Sequence, residues 1–152
     1  MLDEVIPGMR DDPNYTSNAI NTYGAHFAEV GVDIDTGEVR LRRMLGVFAV
    51  GRALNAKTAR SQLIGGMTWG VGAALLEDGV IDARSGAFVD RDLAGYLVPV
   101  HADIASLDAI VLDGFDDKAN VPGAKGLGEL GICGAGAAVA NVVFQCDGDT
   151  RA

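Results

Sequence analysis

The sequence predicts an α+β fold, a small mixed sheet built from β-hairpins and packed by two glycine-rich helices. Three observations predict it. Apolar and polar residues alternate on both sides of Asp35-Thr36-Gly37. Apolar residues recur every four positions from Ala59 to Leu75, and a run of small apolar residues extends over positions 130–145. A period of two marks a half-buried strand, and a period near 3.6 marks a helix.

Residues 1–20, with Pro7, Gly8 and Pro13, read as a polar, irregular lead-in. Val30, Val32 and Ile34 then alternate with Gly31 and Asp33, and after the turn Val39 and Leu41 alternate with Arg40 and Arg42. This is a hairpin with one buried face. Arg40, Arg42 and Arg43 form its solvated or interface face, and His26 reads as a strand histidine with its polar atoms satisfied. Asn55 is placed to cap a helix carrying Ala59, Leu63, Met67, Val71 and Leu75 on one stripe. Gly65, Gly66, Gly70 and Gly72 lie inside that helix. Each costs about 1 kcal/mol against alanine, so close approach of another backbone or of a ligand is expected to offset them. Trp69 is expected in the core, as large aromatics usually are.

The stretch "GVIDARSGAFVD" predicts a second hairpin turning near Ser85-Gly86. A polar loop leads to "YLVPVHADI", with His101 at a loop or helix start. "LDAIVLDGF" reads as a buried strand, "DDKANVPGAKG" as a loop, and residues 130–145 as a buried helix. No repeat and no linker divides residues 1–152, so one domain is expected.

The chain has 152 residues, of which 49% are hydrophobic and 22% charged, which suits a globular core. Its formal net charge of -9, without a basic stripe, argues against nucleic-acid binding. No apolar run reaches the roughly 18 residues a membrane span needs. The start "MLDEVIPGMR" shows neither a basic nor an apolar signal region, so a cytoplasmic protein is expected. Cys133 and Cys146, if carried on one helix, would lie about 20 Å apart and could not form a disulfide. No Cys/His spacing supports a zinc site, so no protein-ligated metal is expected.

The most informative stretch is "VPGAKGLGELGICGAGAAVANVV", in which Glu129 stands alone between two groups of glycines. Its letters "GLGELG" match GxGxxG, but a dinucleotide loop needs a strand ending at the first glycine, and here a loop intervenes. Lys125 is followed by Gly126 rather than Ser or Thr, which excludes a P-loop. At a helix start a carboxylate is favoured by free N–H groups and the helix dipole. That accounts for an acid but not for the bare positions around it. A base that takes a proton from a ligand needs open access within about 3 Å, which flanking glycines provide.

The segments "YGAHFAEVGVDIDTGEVRLRR", "VGRALN", "QLIGGMTWGVGAALLE", "LAGYLVPVHADI" and "GAKGLGELGICGAGAAVANVVF" occur in this order over about 120 residues. Together they resemble the C-terminal part of the molybdopterin-binding large subunit of the xanthine dehydrogenase / aldehyde oxidase family. The resemblance implies a molybdenum-cofactor-binding domain fragment, part of a molybdenum hydroxylase that oxidises an aldehyde or an N-heterocycle with oxygen from water. It implies Glu129 as the catalytic base and Gln62 as a hydrogen-bonding cofactor ligand. Lys125, Gly126 and Gly128 would form the loop presenting the glutamate and would bind the cofactor with Gln62. It also implies the molybdopterin cofactor, with 2Fe-2S clusters and FAD on partner subunits that could carry an export signal to the periplasm. The sequence departs from the family at Ala49, Ala56 and Trp69, where an acid, a proline and a glutamine are common. The upstream cofactor segments are absent, so the isolated chain is expected to be inactive and to self-associate through faces that pack on missing domains. The alternative is a non-catalytic structural or binding module derived from the same fold.

Overall fold

The computed structural model describes residues 18–148. Most of the lead-in expected over residues 1–20 lies outside them. The first two strands, β1 (Tyr23–Val32) and β2 (Val39–Ala49), form the antiparallel hairpin. Asp33 organises its turn: Oδ1 accepts from the backbone N–H groups of Asp35 at 2.9 Å and Thr36 at 3.0 Å. Gly37 follows at φ 74°, a left-handed conformation open to glycine at little cost. Those two N–H groups, Thr36 first, hold the Asp33 carboxyl below its usual pKa. A bulge between Glu29 and Val30 shifts the register, so Ala28 pairs with Met44 while Val30 pairs with Leu41. Val30 and Leu41 are buried as expected, but Ile34 lies beyond the strand and is 88% exposed. Turn residues set the end of β1 before the alternation ends.

Helix α1 (Ala56–Leu75) follows, capped by Asn55, whose side chain accepts from the N–H groups of Lys57 and Thr58. Such a cap contributes about 1 kcal/mol. The predicted stripe faces inward: Ala59, Leu63, Met67 and Val71 are buried. Trp69 is off that stripe and 64% exposed, contrary to the expectation that its size would draw it into the core. Helical phase outweighs side-chain size here, because the buried face is already filled by residues four apart.

The expected second hairpin is reduced to one antiparallel bridge, Ile81 to Phe88, closed by Gly86 at φ 68°. Its side chains Val80, Ile81, Phe88 and Val89 are all exposed, so no packed face extends it into strands. His101 sits in a turn. Strand β3 (Leu107–Val111) pairs parallel to β2, giving a three-stranded mixed sheet in the order β1-β2-β3. A parallel neighbour requires a crossover, which α1 supplies. The register places Met44, Gly46 and Phe48 beside Leu107, Ala109 and Val111 on the face that α1 covers. Ile110 points to the other face and is 46% exposed, so β3 is a half-buried edge strand rather than a buried one. That bare face also carries Phe27, paired with Leu45.

The last helical run is two helices, α2 (Leu130–Cys133) and α3 (Ala135–Gly148), separated by Gly134. Only one face is buried, through Gly131, Ala135 and Val139, while Phe144 is 76% exposed. Small apolar residues all round do not imply burial all round. Cys133 and Cys146 therefore lie on different helices, both exposed and free. Phe48, Leu63, Met67, Val50, Val71 and Val139 are fully buried where β2, α1 and α3 meet. Among the described residues no helix is long and apolar enough to cross a membrane.

Candidate functional site around Glu129

Sequence reasoning singles out Gln62, Lys125, Gly126, Gly128 and Glu129, and the fold brings the first and the last two together. The loop before α2 is tied down from its start. Asn120 makes a reciprocal pair with Ala124, its Nδ2 donating at 2.7 Å and its Oδ1 accepting at 3.0 Å. Gly123, at φ 71°, accepts from the N–H of Arg52 at 2.8 Å. The N–H of Lys125 then donates to Val50 O at 2.9 Å, fixing the loop to the end of β2.

The Lys125 side chain turns to the β1 end of the sheet. Its Nζ donates to Asn21 O at 2.8 Å, lies 3.7 Å from Asp116 Oδ2, and stands over the Tyr23 ring 5.8 Å from its centre. It is only 12% exposed. Between Gly126 and Glu129 the chain is open. A side chain added at Gly126 or Gly128 would meet no atom within 4 Å. The N–H groups of residues 126–129 find no acceptor among the described residues. From α1, Gln62 Nε2 donates to Gly128 O at 2.8 Å, so the helix that carries Gln62 fixes the residue before Glu129.

Glu129 occupies the N-cap position of α2, but its carboxylate makes no capping hydrogen bond and no ion pair among the described residues. It is exposed. The bond that would mark a purely capping acid is missing, and only the Glu129 backbone carbonyl serves the helix, accepting from Ile132 at 3.2 Å and Cys133 at 3.3 Å. Behind it α2 is pressed against α1: a side chain at Gly131 would collide with the Leu63 carbonyl oxygen, and one at Gly66 would fall 2.9 Å from Ile132 N. The result is an unpaired carboxylate on a fixed backbone, beside open glycines and a row of unused N–H groups.

Across residues 7–105 the sequence matches the family of the molybdopterin cofactor-binding domain. The chain belongs to that family. Among curated relatives, the aldehyde oxidoreductase molybdenum-binding subunit PaoC of Escherichia coli K12 is 57% identical over 84% of this chain. The gamma subunit of the 6-hydroxypseudooxynicotine dehydrogenase complex of Paenarthrobacter nicotinovorans is 36% identical over 94% of it. The chain spans only 18% of the length of each of these two relatives. In three dimensions it is similar to quinoline 2-oxidoreductase of Pseudomonas putida 86, with a TM-score of 0.73 at 30% identity, over 81% of this chain and 16% of that one.

The residues present fit a molybdopterin cofactor. Such a group is rich in oxygen and negative charge, and here it would meet unsatisfied N–H groups, the Gln62 amide and space left by two glycines. Two clefts elsewhere, of about 960 and 1160 Å³, flank the β1–β2 turn and are not lined by these residues. Sequence reasoning did not connect His26 or Asn120 with the site. The Asn-to-Ala124 spacing of a closed loop gives a weak signal for Asn120. Nothing local signals His26, which reaches the segment from 105 residues away.

Proposed function

We propose that this chain supplies the general base and one wall of the cofactor site of a molybdenum hydroxylase. The enzyme would oxidise an aldehyde or an N-heterocycle with water as the oxygen source. The observation that carries this reading is the exposed Glu129 carboxylate, unpaired and uncapped, on a loop fixed by Gln62 and flanked by open glycines. When bound, the molybdopterin cofactor supplies the two-electron oxidation. Glu129 takes the proton from the attacking oxygen, and among the described residues no partner occupies its carboxylate. Gln62 holds the loop through one N–H and offers the rest of its amide to the cofactor. Gly126 and Gly128 present bare N–H groups and keep the approach to Glu129 clear. Lys125 contributes from behind, fastening the loop to Asn21 and Asp116.

The rest of the site would come from the remainder of the molybdenum-binding subunit, with 2Fe-2S and FAD partner subunits accepting the electrons. The short coverage of the relatives supports this partition. Alone, the chain would lack turnover and would self-associate through exposed apolar positions such as Phe27 and Ile110.

Glu129→Gln in a complete subunit carrying this sequence tests the base. The hydroxylation rate should fall by about 10² to 10⁴ at unchanged molybdenum content, the range general-base catalysis provides. An unchanged rate sinks the assignment and leaves the chain as a structural module of the same fold.

A further inference from the structure

The segment bearing Glu129 is gripped at both ends by side chains from different elements. On one side Gln62 of α1 donates to Gly128 O, one residue before Glu129. On the other side His26 of β1 lies with Nε2 3.0 Å from Gly131 O, two residues after it. A carbonyl only accepts, so Nε2 carries the hydrogen.

The His26 ring has one place to sit. It meets the fully buried Phe48 edge-on, with ring centres 5.2 Å apart. Gly134 makes room on its other edge, because a side chain there would collide with Nδ1. The carbonyl it holds belongs to α2, a helix of four residues. One helical turn does not sustain itself, so its position is set by what grips it.

We propose that His26 is a positioning residue for Glu129, holding α2 from the sheet side while Gln62 holds the preceding loop from the helix side. The proposal rests on the reading of Glu129 as the base. His26 touches neither substrate nor cofactor; it acts by fixing the backbone from which the carboxylate projects. Displacements near 1 Å cost up to about 10² in rate, so loss of one of two holds is expected to cost about tenfold.

Two variants in a complete subunit carrying this sequence separate this role from simple packing. His26→Phe keeps a ring against Phe48 and Gly134 but removes the donor. His26→Gln removes the ring and offers an N–H at comparable reach. The measurements are kcat, KM, molybdenum content, and hydrogen exchange at the Ile132 and Cys133 amides, which donate to Glu129 O. His26→Phe should lower kcat about tenfold, leave KM and molybdenum content unchanged, and speed exchange at both amides. His26→Gln should recover part of both losses. The reverse order, with His26→Phe like the parent and His26→Gln impaired, overturns the proposal in favour of ring packing. Unchanged exchange and kcat in His26→Phe overturn it as well. A parental rate in Glu129→Gln together with faster exchange in His26→Phe overturns the base while leaving the grip, which distinguishes the two failures.

Discussion

Two groups of glycines in this molecule have opposite surroundings. Gly66 and Gly131 lie where α1 and α2 touch, and any side chain there would run into backbone. Gly126 and Gly128 lie a few residues away with nothing within 4 Å of where a side chain would begin. The first pair is glycine because two backbones meet. The second pair has no such reason among the described residues, and under the proposed reading its openness serves the cofactor. Composition treats the two pairs alike, and only their neighbours separate them.

Substitutions can break or sharpen this contrast. The largest effect on stability is expected at Gly131, where the obstructing atom is a carbonyl oxygen inside α1 and has no freedom to move. Gly131→Ala should destabilise by about 3 kcal/mol, the upper range for overpacking, read as a lowered denaturant midpoint. A loss under about 1 kcal/mol would mean that the helices separate easily and that the contact does not fix α2. Gly128→Val should do the reverse, changing stability by no more than about 0.5 kcal/mol while lowering molybdenum content or turnover in the complete subunit. Full cofactor and full rate in that variant would show that the open space serves no ligand. An effect on stability alone, opposite in sign to that at Gly131, is expected at Gly65, a helix-interior glycine with open surroundings and no contact to protect. Gly65→Ala should stabilise by up to about 1 kcal/mol through helix propensity alone, seen as a higher melting temperature.

Much of the fold was legible because local rules and tertiary packing agree. The Asp33 turn and Gly37 set the hairpin, and Asn55 with the four-residue spacing set α1 and its buried face. Where the two disagree, local reading failed. Size predicts Trp69 inward, but its helical phase turns it outward. The run of small apolar residues over 130–145 predicts one buried helix, yet Gly134 divides it and Phe144 stays exposed. The strand at β3 is apolar enough for burial on both faces, as suits parallel pairing, but the described residues cover only one.

The site divides in the same way. The sequence by itself determined the candidates: an isolated Glu129 with the glycines around it, and Gln62 through the family resemblance. Motif order carried these, because the spacing of "GAKGLGE" after "HADI" is a property of the chain. Only the tertiary structure decided how they are held. It set the Gln62 bond to Gly128, turned the Lys125 ammonium toward Asn21 and Asp116, and brought His26 to Gly131 across 105 residues. Contacts at that separation leave no local pattern. Each is fixed by the register of β1 on β2 and by the closeness that Gly66 and Gly131 permit between α1 and α2.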